Sequence, residues 1–146
     1  MGDGVSSEFR LLLQERKLLR ARVTRQMIMK EIGAAETDLQ DARDSLQQHK
    51  FKWATIQAYY SMFHSARALL YHRGYRERSH YAMLVALREL FSRELGTDLI
   101  IRFEDGMDLR QQADYGLKFS ETGAIETIEG AEKFLEKARK TLKIER

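Results

Sequence analysis

Cysteine and proline are both absent from the 146 residues, and glycine occurs only nine times. Without cysteine there is no disulfide framework and no thiolate chemistry, a composition that fits a reducing, cytoplasmic setting. Without proline, and with so few glycines, the backbone has few forced stops, which favours long helices. Long apolar runs are missing too. Nothing approaches the roughly 20 residues that a bilayer-spanning helix needs, so no membrane partner is expected. The first ten residues, MGDGVSSEFR, lack the basic-then-apolar pattern of a secretory signal. They match the loose Met-Gly-x-x-x-Ser myristoylation pattern, which is short and common by chance.

What remains is a globular composition, 43% hydrophobic and 32% charged. A chain of this length is most simply one domain, able to bury roughly 70% of its unfolded surface. Its 25 Lys+Arg against 22 Asp+Glu give a net charge of +3, too small by itself to imply nucleic-acid binding. The distribution says more. Residues 1–30 carry Arg10, Arg16, Lys17, Arg20, Arg22, Arg25 and Lys30 against Asp3, Glu8 and Glu15, and a later turn adds Arg73, Arg76 and Arg78 against Glu77. Such charges form either a basic patch or an ordinary solvated face.

Serines and glycines punctuate a series of helices. Ser6 or Ser7 caps a first helix running to about Arg22, with Leu11, Leu12, Leu18 and Leu19 on its buried side. From about Arg25 to Gln48, Ile28, Ile32, Ala35, Leu39, Ala42 and Leu46 follow spacings of four and three, a single helical stripe. The next helix, about Lys52 to Arg73, is apolar on several sides, with Trp53, Ile56, Tyr60 and Phe63 beside Ala58, Met62, Ala66 and Leu69; that marks a central element. Gly74 ends it, and Ser79 caps a helix carrying Leu84, Leu87, Phe91 and Leu95. Gly96-Thr97-Asp98 reads as a turn opening a fifth helix through about Tyr115. After Gly116, Ser120 caps a last helix with the stripe Ile128, Ala131, Leu135, Ala138 and Leu142. No alternating segment competes as a strand. The expected fold is all-α, an antiparallel bundle of five to six helices over residues 25–146, preceded by a basic helical extension over 1–24.

Two segments carry a resemblance: AYYSMFHSARALL with its basic turn ending Ser79-His80, and LRQQADY from Leu109 to Tyr115. Over about residues 30–143 the chain resembles the HEPN superfamily, and more narrowly its small UPF0332-type proteins. That resemblance implies a helical bundle that pairs as a homodimer, often beside a minimal nucleotidyltransferase. It also implies metal-independent ribonucleases or toxins, whose Arg-x4–6-His motifs from two protomers face one cleft. Here the motif is altered: Arg110 is present, but five positions on stands Tyr115, and no histidine follows through Ser120. Gln57 also stands where close relatives often carry Arg before Ala-Tyr-Tyr.

The chemistry of metal-free RNA cleavage asks for a base to take the 2′-OH proton and a cation to hold phosphate charge. Arg110 suits the second task through its two parallel donors. Tyr115 suits the first poorly, since a phenol of pKa about 10 supplies almost no phenolate at neutral pH. His80, at a helix start, is the substitute base. The candidate site is therefore Arg110 and His80 as catalytic groups, with Arg110, Asp114, Tyr115, Tyr59 and Tyr60 as nucleotide or RNA contacts. In the plainer alternative, Arg110 and Asp114 form an i,i+4 ion pair and the tyrosines are core or interface aromatics. His64 and His72 lack the companions of a metal site, and no Gly-rich phosphate loop, HExxH or nucleophile elbow occurs, so no metal or cofactor is expected. Three functions remain: a homodimeric partner of a minimal nucleotidyltransferase binding nucleotide or RNA near Arg110, a ribonuclease toxin with an altered motif, and a non-catalytic structural dimer.

Overall fold

The helix boundaries follow side-chain caps. In the computed structural model, which describes residues 6–144, Ser6, Thr24, Ser79 and Ser120 each accept a hydrogen bond from the backbone amide three residues on, satisfying donors that a helix start leaves open. They open α1 (Ser7–Gln14), α2 (Arg25–Gln47), α4 (His80–Tyr115) and α5 (Glu121–Leu142). The central α3 (Phe51–His72) has no side-chain cap and follows a tight turn in which His49 takes a positive φ. The myristoylation pattern reaches into residues outside those described.

The stripes read from the sequence face the core. Ile28, Ile32, Ala35, Leu39 and Ala42 of α2 are buried, as are Ile128, Ala131, Leu135, Ala138 and Leu142 of α5, while Leu46 is only half-buried. Helix α3 packs against α2, α4 and α5 together, which explains why it is apolar on several sides. Ile56, Phe63 and Leu70 are buried, Tyr60 half so. Trp53 departs from the expected core set: half exposed, it lies beneath the Lys52 ammonium 4.9 Å from its ring centre. The fold is predominantly all-α.

Two corrections concern the first helix and the strands. The helix expected to reach Arg22 stops at Gln14; Arg16 takes a positive φ, and Leu18–Arg20 form a strand, β1. Its partner β2 (Tyr75–Glu77) follows Gly74, whose φ of 81° suits a residue without Cβ. The two pair antiparallel with Leu18 opposite Glu77, Leu19 opposite Arg76 and Arg20 opposite Tyr75. Three-residue strands are too short for alternation to show in a sequence. The ribbon still joins the core, because Leu18 is buried in the same apolar cluster as Phe9, Leu12 and the long helices.

Helix α4 breaks where the glycine turn was expected. Phe91 leaves helical geometry and Gly96 adopts φ 80°, ψ 158°, a conformation essentially confined to glycine. Beyond the break α4 comes down on α3 at Gly106, where a Cβ would lie 2.6 Å from Met62 Cε and 3.5 Å from Tyr59 Cδ1. One helical turn later, on the same face, stands Arg110.

Candidate functional site

Arg110 is 9% exposed, a level of burial that a permanent cation tolerates only with compensation. Part of that compensation is aromatic. Its guanidinium carbon lies 5.3 Å from the ring centre of Tyr59 and 5.8 Å from that of Tyr60, both within cation–π range. Asp114, one turn on and at the surface, approaches Nη1 only to 3.9 Å. The buried Nε has no hydrogen-bond partner. Arg110 is thus stacked in place but left with donor capacity to spare.

His80 reaches the same pair of tyrosines from the start of α4. The Tyr59 hydroxyl lies 2.5 Å from His80 Nδ1, and the imidazole packs 4.5 Å from the Phe63 ring centre. Burial, and then the Arg110 charge, hold the His80 pKa below the usual imidazole value, so the ring is neutral at pH 7. Burial likewise pushes the Tyr59 hydroxyl well above an ordinary phenol, so it keeps its proton. Nδ1 is the one acceptor that hydroxyl meets, and the cation nearby is donor-only. Partner chemistry therefore assigns the proton to Tyr59, donated to Nδ1, and leaves His80 with N–H at Nε2. The lone pair that would make His80 a base is already engaged.

The structure brings Arg110, His80, Tyr59 and Tyr60 together, with Asp114 at the rim. It leaves Tyr115 outside, 74% exposed at the end of α4. Tyr59 is fully buried and offers no surface to a base; it positions Arg110 and His80 instead. Tyr60 keeps an accessible edge on an open groove of about 530 Å³, whose other walls include Phe63, His80, Arg76 and Arg78.

A second polar group escaped the sequence reading. Arg67 of α3 holds the buried Glu77 carboxylate through Nε at 3.2 Å and Nη2 at 2.8 Å, and its Nη1 lies 3.5 Å from Glu31. His64 Nδ1 lies 2.8 Å from Glu31, and its Nε2 3.5 Å from Asp38. Burial raises the Glu31 carboxyl, but the His64 hydrogen bond and the Arg67 charge outweigh it and leave the pKa lowered. The available signal was a charged residue, Arg67, inside a helix apolar on several sides. Gln57, the variant position before Ala-Tyr-Tyr, hydrogen-bonds Ser45 at 2.7 Å between α2 and α3. Among the described residues no group of three or more His, Cys, Asp or Glu side chains is placed to hold a metal ion. No helix among them is long and apolar enough to cross a membrane.

Residues 30–146 match the HEPN domain family model. The chain belongs to the HEPN family. It is 32% identical over 112 residues to a UPF0332 protein of Archaeoglobus fulgidus, covering 74% of this chain and 89% of that one. It is 30% identical over 125 residues to the protein named "Putative toxin MJ0605" of Methanocaldococcus jannaschii, covering 82% and 91%. Its fold is similar to the crystal structure of TT1696 from Thermus thermophilus, with a TM-score of 0.67 at 18% identity, over 77% of this chain and 96% of that one. The HEPN match thus runs from within α2 through α5, and α1 and β1 lie before it.

The lowered His80 pKa has a consequence for stability. Above the ordinary imidazole value of 6.5 the ring is neutral in both folded and unfolded chains, and it contributes nothing to pH dependence. As pH falls through that value the unfolded chain binds the proton first, so stability drops until the folded ring protonates as well. His80→Asn, whose Oδ1 can take the Tyr59 proton, should lose this part of the acid sensitivity. Urea unfolding at about pH 7.5 and about pH 5.5 measures it; an unchanged difference in the variant would place the sensitivity elsewhere.

Proposed function

We propose that this HEPN protein works as a homodimer that binds nucleotide or RNA at the Arg110 cleft, as the partner of a minimal nucleotidyltransferase. The observation that carries the reading is the state of Arg110: a buried cation, stacked on two tyrosines, with an unpartnered Nε and its carboxylate neighbour at 3.9 Å. Nε itself is sealed from solvent, so a phosphate meets the Nη side of the guanidinium, where Asp114 comes no closer than 3.9 Å, and His80 Nε2–H is a further donor. Dimerisation is supported by the family and by exposed apolar side chains at the α4–α5 connection, Tyr115, Leu117 and Phe119. The nucleotidyltransferase partner rests on the UPF0332-type resemblance, and the cytoplasm remains the proposed location.

One observation favours the ribonuclease reading: Arg110 and His80, far apart in sequence, meet at Tyr59. The likeness to a relative named as a toxin adds to it. Against it stands the engaged Nδ1, whose hydrogen bond from the Tyr59 hydroxyl would have to break before it could accept a proton from a 2′-OH. Incubation with labelled RNA in chelator separates the two. The unmodified protein should cleave no more than feebly. Tyr115→His, which restores the spacing Arg-x4-His at an exposed position, should raise cleavage by about 10²–10⁴-fold only where the homodimer brings that position to the cleft and base catalysis is the missing part. Robust chelator-resistant cleavage by the unmodified protein, abolished by His80→Ala, would overturn the binding reading in favour of the enzyme.

A further inference from the structure

Within the segment before the HEPN match, α1 packs Phe9 and Leu12 into the core, and β1 lengthens the turn after α3 into a two-stranded ribbon. Its neighbourhood is charged in one sense. Residues 15–22 and 73–78 together carry seven cations, Arg16, Lys17, Arg20, Arg22, Arg73, Arg76 and Arg78, against Glu15 and Glu77. Glu77 is already neutralised from beneath by Arg67.

Strand periodicity sorts these residues. With Leu18 opposite Glu77 and Leu19 opposite Arg76, side chains alternate between the two faces. Leu18, Glu77 and Tyr75 share one face, and Leu18 and Glu77 are buried there. Leu19 and Arg76 share the other, and the register continues through the Arg78 amide donating to the Lys17 carbonyl at 2.8 Å, which adds Lys17 and Arg78 to it. This second face borders the open groove: Leu19, Arg76 and Arg78 line it, facing Tyr60, Phe63 and His80, with the Glu77 carboxylate, already paired to Arg67, also in its lining. Arg76, Arg78 and Lys17 are exposed, and no carboxylate among the described residues pairs with them.

Cations along one wall and aromatic rings along the other are the two components of a single-strand binding channel, one for the backbone and one for the bases. Tyr60 joins this groove to the Arg110 cleft, since it lines the first and lies under the guanidinium of the second. We propose that the β1–β2 ribbon is a phosphate track for single-stranded RNA, completed by β1 from the segment ahead of the family match and leading to Arg110. The strand's backbone runs along Lys17, Arg76 and Arg78, and a base rests against the open edge of Tyr60. The ligand is then an oligonucleotide rather than a mononucleotide. The proposal rests on the Arg110 reading for where the strand ends, and on the ribbon alone for how it is held.

Fluorescence anisotropy with a labelled twelve-nucleotide oligouridine, across a salt series, tests it beside ATP titration. Arg76→Glu/Arg78→Glu should weaken RNA binding at least tenfold at low salt and ATP binding by a smaller factor that falls away as salt rises. Neutral replacement, Arg76→Gln/Arg78→Gln, should lower the slope of log affinity against log salt by about 1.4, at about 0.7 for each phosphate no longer neutralised on a single strand. Arg110→Ala should weaken both ligands. Unchanged RNA affinity in both ribbon variants, with Arg110→Ala still impaired, would overturn the track and leave the cleft reading standing. Loss of neither ligand in any variant would overturn both. Absence of RNA binding by the unmodified protein at low salt would also overturn the track and leave the basic ribbon to an acidic protein surface. Retained circular dichroism in each variant excludes unfolding as the cause.

Discussion

Arg67→Ala should lower the unfolding free energy by about 3 kcal/mol, the lower end of the range of roughly 3–5 for breaking a buried ion pair. Glu77 is 5% exposed and receives the Nε–Nη2 edge of the Arg67 guanidinium as a bidentate pair; without it a carboxylate is left buried and unpaired. Arg67 itself keeps 23% of its side-chain surface, which lets some water replace it and holds the expected loss to the low side. The double variant Arg67→Met/Glu77→Gln removes the charge with its partner and should recover most of the loss. Urea unfolding at neutral pH gives the number. A loss below about 1 kcal/mol for the single variant would mean that Glu77 rehydrates freely, and that the ribbon is not tied to α3 through this pair.

A loss of similar size is expected in the core, where α2 and α5 flank α3. Leu135 is 2% exposed and Leu39 is 5% exposed, so Leu135→Ala or Leu39→Ala should cost about 2–5 kcal/mol through lost burial and the cavity left behind. A cost below about 1 kcal/mol would place either residue at the surface, against the packing described.

Much of this architecture was legible because long helices advertise themselves. The three-and-four stripes of α2 and α5, the multi-sided α3 and the caps Ser6, Ser79 and Ser120 all reappear in the structure, and the Gly96 turn is a true break in α4. The β1–β2 ribbon was not legible. Leu18 and Leu19 fit a helical stripe as well as a strand, and only pairing with residues 75–77 decides between them. Trp53 misled for a similar reason: an aromatic on an apolar helix is a core residue unless its face meets no neighbour.

The candidate site divides the same way. Residue chemistry pointed to Arg110 and His80, and tertiary packing brings both to Tyr59 across about 30 residues of chain, a meeting no local pattern encodes. Their roles depended on burial. Full burial turns Tyr59 from a stacking platform into a positioning group, and its hydroxyl engages the nitrogen that a base would need. Tyr115, chosen for its place five residues after Arg110, faces solvent at the end of α4.

The measurement that bears most directly on the central claim is calorimetric titration, in chelator, of a 5′-phosphorylated oligoribonucleotide and of ATP into the intact protein and Arg110→Met. Methionine keeps the apolar stem that packs on the tyrosines and removes only the charge and its donors. Hydrogen bonds to a charged group contribute about 1.5–3 kcal/mol, so the substitution should weaken binding by about ten- to a hundredfold with the helical spectrum unchanged. Equal affinity of Arg110→Met and the intact protein for both ligands would contradict the account: Arg110 would then be a structural cation held by its tyrosines, and not the anion-binding centre of the cleft.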